Sequence, residues 1–479
     1  MRHLMQKTLL TTSALFTLSA LICPDSAAAQ AMDTYGMGAR SQALGGAVTA
    51  DVEDFSANYY NPAGIVRSGQ TRVGAGWFGA VHDMRLDGVN SNVDPAHGTV
   101  IGLNIPGEVD GFRFGFGLGV HLNDQRVSRS RTLPRQQPRW ELYDNRPHRT
   151  YLATHVAIQP WDWLRIGGGI SFLSTSAAEL GLRGNIDITA PERASRLEQE
   201  FTGELLTIRY PQIGVQVNPF SWLDFGVVYR GEFGLTNDLE AELGECRTVG
   251  ADGTCTGAST VGGDTLTISA GDGIPPIPGY LQLATASVNA YVPHQLSFAA
   301  SVEPIENTLR ISAEVTWLMW SRYQSPVGSS DTVLIIDVPP ELQDTIMVPD
   351  SITAGRPVAA EFNDRIVPRI GVEWTPVRNT DLQLDIRAGY FYENSPAPEQ
   401  TGFTNLVDTD RHAWSLGFGV DLLGLRPVLP GFLSIDVYAQ YGFLPSRTMR
   451  KTSPIDPIGD YTAEGHMFAG GMTLEAGFE

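Results

Sequence analysis

The stretch Leu382-Gln383-Leu384-Asp385-Ile386-Arg387-Ala388-Gly389-Tyr390 alternates apolar side chains with polar or small ones. Successive side chains of a β-strand point to opposite faces, so this stretch predicts a strand with one apolar and one polar face. The same period of two recurs over residues 414–422 and 433–441. In a soluble sandwich the apolar faces of two sheets would meet, whereas in a membrane barrel they face lipid and the polar faces line the lumen.

The order of the connections distinguishes these two architectures. Alternating segments are joined in turn by short turns, such as 108–110 and 160–162, and by long connections, such as 123–148 and 236–291. Outer-membrane barrels have short turns at one end and long loops at the other, and closure leaves no strand edge unpaired in lipid. We therefore predict an all-β, antiparallel transmembrane barrel of about 14 strands over residues 71–479, with strands that begin near residues 71, 98, 111, 149, 163, 203, 222, 292, 308, 364, 381, 411, 431 and 466.

Residues 1–31 have the pattern of a cleaved signal peptide. Basic residues precede an apolar run from Leu9 to Ile22, which is too short for a membrane-spanning helix. Small residues then predict cleavage after Ala29 or Ala31. Together with the barrel pattern, this predicts a location in the outer membrane of a Gram-negative bacterium.

Residues 32–70 do not alternate and are rich in glycine and alanine. A barrel of about 14 strands has a wide lumen, so we expect this segment to fold into the lumen as a plug. Gly36 and Gly38 do not mark a dinucleotide site, because no third glycine falls in register and no strand–helix unit follows.

Charge and composition exclude several functions. The formal net charge of −20 argues against a nucleic-acid partner, because the phosphate backbone needs a basic surface. The mature histidines have no nucleophile motif around them, so we predict no enzyme, no cofactor and no metal site. Cys246 and Cys255 lie close together in a Gly/Thr-rich segment and predict a local disulfide in an oxidising compartment.

Two separated motifs carry a resemblance to a known family. The plug segment ends in Asn58-Tyr59-Tyr60-Asn61-Pro62-Ala63-Gly64, shortly after the acidic stretch 51–54. Far downstream, Arg387-Ala388-Gly389-Tyr390 precedes Ser395-Pro396-Ala397-Pro398 and then Asp408-Thr409-Asp410-Arg411. In this order, and over essentially the whole mature chain, they are similar to the hatch and the late-strand signature of the long-chain fatty acid transporter (FadL/TodX) family.

The resemblance implies a 14-stranded barrel whose hatch, with Asn61, Pro62 and Ala63, lies in the lumen. Hydrophobic molecules would be caught in an apolar groove among the outer loops and pass to a pocket beside the hatch. They would leave through an opening in the wall beside the third strand, with no nucleotide or cofactor consumed. We expect a monomer surrounded by outer-membrane lipid and lipopolysaccharide.

Residues for two of these steps can be named in the sequence. The third strand contains Gly111, Gly115, Gly117 and Gly119, which would either permit a gap in the wall or pack against the plug. An apolar loop segment would either form the outer groove or pack on itself; its apolar residues are Ile274, Ile277, Tyr280 and Leu281.

Candidate ligand residues lie towards the lumen. The strand phase places Arg387 there among several carboxylates, and Arg411 follows Asp410 at the mouth of its strand. Mutual pairing of these charges is one interpretation, and an arginine that binds a fatty-acid carboxylate is the other. Trp320 and Tyr438 would supply the apolar wall that a ligand pocket needs.

The predicted function is passive uptake of hydrophobic compounds, in the first place long-chain fatty acids. Aromatic or alkane hydrocarbons would use the same architecture and stay an alternative. A non-specific porin, which would need no plug, and a secretion accessory that binds proteins are two further interpretations.

Overall fold

The computed structural model describes residues 31–124, 138–144, 150–187, 196–243, 245–249, 255–259, 266–269, 277–323, 329–337, 352–353, 360–402, 404–425, 431–454, 456 and 458–478. Beyond residue 70 the described chain is almost entirely strand and turn. None of the described helices is long and apolar enough to cross a membrane.

The strands, in chain order, are β1 Thr71–Leu86, β2 Val89–Asn90, β3 Ala96–Val109, β4 Phe112–Asn123, β5 Tyr151–Trp161, β6 Leu164–Asp187, β7 Arg196–Phe220, β8 Leu223–Arg230, β9 Phe233–Leu243, β10 Glu245–Val249, β11 Cys255–Ser259, β12 Leu266–Ser269, β13 Ile277–Val292, β14 Gln295–Ile305, β15 Leu309–Leu318, β16 Ser329–Ile336, β17 Ile352–Thr353, β18 Arg365–Arg378, β19 Leu382–Glu393, β20 Arg411–Leu422, β21 Phe432–Met449 and β22 Tyr461–Phe478.

Fourteen of these strands close into one antiparallel barrel. Each pairs with the next in the order β1, β3, β4, β5, β6, β7, β8, β14, β15, β18, β19, β20, β21 and β22. β22 then pairs back on β1 from Thr71–Phe478 to Leu86–Ala463, which closes the sheet. The prediction of a 14-stranded barrel is confirmed.

The alternation that predicted the strands separates the two faces of the wall. In β19, Ile386 is 44% exposed on the outer face, whereas Asp385 and Arg387 are 1% and 4% exposed on the inner face. Near the short turns, Trp161 and Trp163 stack outside the barrel. Near the long loops, the hydroxyl of Tyr390 lies 2.9 Å from Nδ1 of His412. Aromatic belts at both rims of an apolar band suit a surface that faces lipid.

Among the predicted starts of strands, the largest difference is at β7, which begins at Arg196 and not near residue 203. β6 and β7 continue as one hairpin up to the pair Asn185–Arg196. Apolar residues still alternate in part of this extension, as Leu180, Leu182 and Ile186 show. Backbone pairing can extend a hairpin for as long as its two strands face each other, and alternation alone does not mark where the chain turns.

Residues 31–66, here called the N-terminal segment, lie inside the barrel. They form α1 Ala31–Tyr35, α2 Ala39–Ala43, α3 Ala57–Tyr60 and a 3-10 helix Pro62–Val66. Hydrogen bonds reach strands on different sides of the wall: Arg40 donates to Glu373 in β18, the Phe55 amide to Glu475 in β22, and Asn61 to the carbonyl of Val215 in β7.

Candidate functional site

The barrel end with short turns contains a cavity of about 560 Å³ below the N-terminal segment, here called the vestibule. Charged side chains dominate its lining. They are the arginines Arg40, Arg67, Arg72, Arg310, Arg378 and Arg387 and the carboxylates Asp51, Glu53, Asp54, Glu303, Glu373, Asp385, Asp421, Asp436 and Glu475. A hydrophobic ligand would find little apolar surface here.

Many of the vestibule charges pair with one another. Nε of Arg40 lies 2.9 Å from Oε2 of Glu373, and Nη1 of Arg310 lies 2.7 Å from Oδ2 of Asp51. Asp51 is itself fully buried and also pairs with Arg40 at 3.2 Å. Such mutual pairing is what allows carboxylates to stay ionised away from bulk water.

Arg387 belongs to this network. Its Nε lies 2.6 Å from Oε2 of Glu373 and its Nη2 lies 3.0 Å from Oδ2 of Asp385, while Nη1 bonds Asp436. The guanidinium is thus surrounded by carboxylates on the vestibule side of the N-terminal segment. The structure supports the interpretation of mutual pairing for Arg387 and gives its role in ligand binding no support.

Large apolar side chains gather at the opposite end of the barrel, towards the long loops. Residues of the N-terminal segment and of the loop that contains α4 Glu141–Asp144 share one buried cluster, which includes Met32, Tyr35, Met37, Trp140, Leu142 and Tyr143. Four further rings lie with centroids 4.8–6.0 Å apart, namely Tyr291, Trp320, Tyr323 and Phe362. The N-terminal segment therefore separates a region rich in aromatic side chains from the vestibule, whose lining is dominated by charges.

Two small cavities of about 40 and 50 Å³ remain in this region. They share the lining residues Asp33, Thr34, Gln295, Leu318, Glu393 and Arg411. We call the two cavities and their lining the loop-end chamber. Aromatic side chains of the protein itself lie beside the smaller cavity, namely Tyr143, Tyr291 and Trp320.

Two of the sequence-predicted ligand residues meet in the loop-end chamber. Trp320 and Arg411 both line the smaller cavity. Nη2 of Arg411 lies 2.6 Å from Oε2 of Glu393, and its guanidinium lies 4.9 Å from the ring centroid of Phe391. Arg411 thus already has a carboxylate partner in the protein.

The other two lie elsewhere. Asp410 accepts hydrogen bonds from the Tyr392 hydroxyl at 2.6 Å and the Ser395 amide at 2.8 Å, so it shapes the start of its loop. Tyr438 packs against Ala39 and Ala43 of α2, away from Trp320. The structure therefore does not unite the predicted set at one site.

Asp408, from the same motif as Asp410, is buried in the loop after β19. Its Oδ2 lies 3.4 Å from Nη2 of Arg365. Burial raises the pKa of the Asp408 carboxyl to about 6, although Arg365 acts in the opposite direction.

Sequence reasoning missed Arg230 and its neighbours. The Arg230 guanidinium lies 4.1 Å from the Tyr59 ring and donates to the Tyr59 carbonyl at 2.7 Å and to Oε1 of Gln295 at 3.0 Å. Within the described chain Arg230 makes no ion pair, although it lines the chamber. Strand phase would have placed Arg230 in the lumen. It does not show whether a carboxylate lies close enough to pair with the guanidinium.

The Asn-Pro-Ala motif joins the N-terminal segment to the wall. Oδ1 of Asn61 accepts from the Ala63 amide at 3.1 Å and so caps the 3-10 helix. Its Nδ2 donates to the carbonyl of Thr49 at 2.8 Å and to that of Val215 at 3.1 Å. The Asn61 side chain therefore connects Thr49 and Ala63 of the segment to β7. These contacts use both the amide donor and the amide acceptor of asparagine.

Comparison with known proteins identifies the fold. No protein-family model matches the chain. The chain is 23% identical over 440 residues to alkane uptake protein A of Marinobacter nauticus, covering 88% of this chain and 86% of that protein. Among solved structures, it matches a Pseudomonas aeruginosa FadL homologue with a TM-score of 0.52 and 15% identity, over 92% of this chain and 97% of the other. The Pseudomonas putida toluene transporter TodX matches with a TM-score of 0.48 and 14% identity, over 93% and 99%.

The chain has the FadL fold. The resemblance that the two sequence motifs predicted is thereby confirmed at the level of architecture.

The predicted gap beside the third strand of this FadL fold is wrong for the present structure. β4 pairs with β3 and with β5 without a register shift, so the wall is continuous on both of its edges. Gly111 lies in the turn before β4 with φ +80°, a conformation that favours glycine. Gly115, Gly117 and Gly119 instead face Val66, Asn58 and Met37 of the N-terminal segment, as expected if these glycines pack against the plug.

Replacing Gly117 with valine is expected to lower the stability of the protein. A Cβ atom at position 117 would lie 2.1 Å from Oδ1 of Asn58, a residue that is fully buried. Relieving such overpacking costs about 1–3 kcal/mol. Thermal unfolding in detergent measures the loss, with Phe116→Val on the lipid-facing side as the control. Equal melting temperatures for both variants would contradict the packing role.

The predicted outer-loop residues are only partly described. Ile274 lies outside the described residues, as does the side chain of Leu281. Ile277 and Tyr280 are 2% and 5% exposed, so these two are packed and do not form an open groove.

Cys246 is disulfide-bonded, and its strand β10 pairs with β11, which begins at Cys255. The Cys246–Cys255 pairing itself stays a prediction.

Proposed function

We propose that this protein lets hydrophobic compounds cross the outer membrane by passive diffusion, with the N-terminal segment acting as a hatch. The observation that carries the proposal is the division of the lumen by this segment. On the loop side it faces the aromatic side chains around the loop-end chamber, and on the turn side it faces the charged vestibule. An open porin for polar solutes would leave the lumen free, whereas here the segment packs against the wall.

Three arginines of the chamber already pair with carboxylates of the protein, which favours neutral hydrocarbons over fatty acids as cargo. Arg365, Arg369 and Arg411 all lie within 4 Å of Glu393, and Arg365 also lies near Asp408. A fatty-acid carboxylate would have to compete with one of these carboxylates to reach any of these three arginines. The similarity to a protein named for alkane uptake agrees with this choice of cargo.

Long-chain fatty acids are the second candidate, and Arg230 is the observation that favours them. It is a buried cation in the chamber without an ion pair in the described chain. Its Nε is buried and has no hydrogen-bond partner among the described residues. A carboxylate that reached this atom would gain a charge-assisted hydrogen bond.

Titration of the purified, detergent-folded protein with hexadecane and with oleate tests the choice. We expect saturable binding of hexadecane, equal in the wild type and in the Arg230→Gln variant, with Arg322→Gln as an exposed control. Oleate binding that falls at least tenfold in Arg230→Gln, without hexadecane binding in the wild type, would instead establish fatty acids as the cargo. Binding of neither compound would contradict the proposed function.

A further inference from the structure

Asp33 and Arg230 are two opposite charges of the loop-end chamber whose hydrogen bonds go to neutral groups. Asp33 lies in α1 of the N-terminal segment, and Arg230 is the last residue of β8. Both line the larger of the two cavities. In the part of the chain that the structure describes, Asp33 bonds only Tyr59 and Gln295, and so does Arg230. The carboxylate and the guanidinium therefore face one cavity without pairing with each other.

Gln295 and Tyr59 hold these two charges in fixed positions. Oε1 of Gln295 accepts from Nη1 of Arg230 at 3.0 Å, while its Nε2 donates to Oδ1 of Asp33 at 3.2 Å. Only this orientation of the amide satisfies both charges. The Tyr59 hydroxyl donates to the same Oδ1 at 2.8 Å, and its carbonyl accepts from Nη2 of Arg230 at 2.7 Å.

One atom of each charged group stays open. Oδ2 of Asp33 and Nε of Arg230 are buried, and neither has a hydrogen-bond partner among the described residues. A carboxylate oxygen accepts hydrogen bonds, whereas the guanidinium Nε–H donates one. Because buried polar atoms without partners are costly, a neutral group that donates to Oδ2 and accepts from Nε would be stabilised here.

A hydroxyl group has this combination of donor and acceptor. An alkane offers neither bond. A carboxylate would gain the bond to Arg230, but its negative charge would lie beside Asp33 and be repelled. A water molecule satisfies the same two atoms as a hydroxyl, so an alcohol that displaces water keeps both bonds, whereas an alkane loses them.

Apolar side chains lie on the other side of the same chamber. The smaller cavity shares Asp33 and Gln295 with the larger one, and it adds Leu142, Pro293 and Trp320 to the lining. The chamber is thus polar at one end and apolar at the other, as an amphiphile with a small head requires. A long chain would enter by displacing the large side chains around the smaller cavity.

We infer that Asp33 and Arg230 form a subsite for the hydroxyl group of a long-chain alcohol. The alcohol O–H donates to Oδ2 of Asp33, and its oxygen accepts from Nε of Arg230. The inference rests on the proposed function, because it names the cargo class that the same chamber binds most tightly. Asp33 is in addition the residue that disfavours a fatty-acid carboxylate.

Equilibrium binding of three ligands with the same number of carbon atoms tests the inference. They are hexadecan-1-ol, hexadecane and palmitate, and they differ only at one end of the chain. The protein is the purified, detergent-folded wild type, with Asp33→Asn and Arg230→Gln as variants. Measurements are made at about pH 9, where palmitate is ionised. Asp162→Asn and Arg322→Gln are the matched controls, because both positions are exposed.

The wild type should bind hexadecan-1-ol about tenfold more tightly than hexadecane, because the alcohol adds hydrogen bonds to two charged groups. Either variant should lose most of this difference and keep the wild-type affinity for hexadecane, which also shows that it is folded. Palmitate should separate the two variants: Asp33→Asn should bind it more tightly than the wild type, and Arg230→Gln more weakly. Both controls should match the wild type for all three ligands.

Three results would overturn the inference and leave the proposed function intact, provided that hexadecane binds saturably. They are equal wild-type affinities for the alcohol and the alkane, an unchanged affinity for the alcohol in both variants, and tighter wild-type binding of palmitate than of the alcohol. Binding of none of the three ligands to the wild type would overturn the proposed function as well.

Discussion

Deletion of residues 32–63 is expected to turn the barrel into an open, ion-conducting pore. The deleted residues fill the lumen between the loop-end chamber and the vestibule, and all except a few are buried. The wall itself closes through β1 and β22 without them. Because barrels of 16–18 strands leave an aqueous channel, a 14-stranded wall without its plug should conduct ions as well.

Single-channel recording in planar bilayers measures this change. The full-length protein should show little conductance in the same bilayers. The variant Arg67→Met is the matched control, since it removes the ion pair to Asp224 at 2.9 Å but keeps the segment. Equal conductance of the full-length and deleted proteins would contradict the assignment of residues 32–63 as a plug.

Replacement of Arg387 with methionine is expected to destabilise the barrel by about 3–5 kcal/mol. The guanidinium bonds three carboxylates, those of Glu373, Asp385 and Asp436, and it is 4% exposed. Removing one partner of a buried ion pair leaves uncompensated charges, which is more costly than losing the pair itself. Denaturant unfolding in detergent measures the loss.

The control for this change is Arg378→Met, because Arg378 is exposed beside a short turn. Ligand binding measured on the folded fraction of Arg387→Met should match the wild type. Normal stability combined with lost ligand binding would reverse the conclusion and return Arg387 to the ligand site.

Much of the wall could be predicted from the sequence, because a period of two is a direct consequence of strand geometry. The starts of β19 and β20, predicted near 381 and 411, fall at Leu382 and Arg411. The length of the β6–β7 hairpin was not predicted, because alternation continues along both strands and does not mark the pair Asn185–Arg196 at which the ladder ends.

The candidate site was predicted less well, because strand phase shows which face a residue occupies but not which neighbours it meets. Arg387 and Arg411 have the same phase towards the lumen, yet one lies in the vestibule and the other in the loop-end chamber. The glycines of β4 allowed both a gap and close packing, and only the position of Asn58 decides between them.

The arrangement also bears on the secretion-accessory interpretation. A barrel that only binds proteins through its loops would have no need for a cluster of aromatic side chains between the N-terminal segment and those loops. Here Tyr35 of the N-terminal segment stacks on Phe78 of the wall at 5.7 Å, and its hydroxyl bonds Nε2 of His82 at 2.6 Å. We expect such contacts to change when a ligand enters the chamber.

Uptake of radiolabelled hexadecane by a Gram-negative host that lacks a hydrocarbon channel tests the central claim most directly. Cells that produce the protein should take up hexadecane faster than cells with an empty vector, and the rate should saturate with concentration. Polar solutes of similar size should enter no faster than in the control cells. Uptake of hexadecane at the rate of the empty-vector cells, with the barrel folded in the outer membrane, would contradict the account.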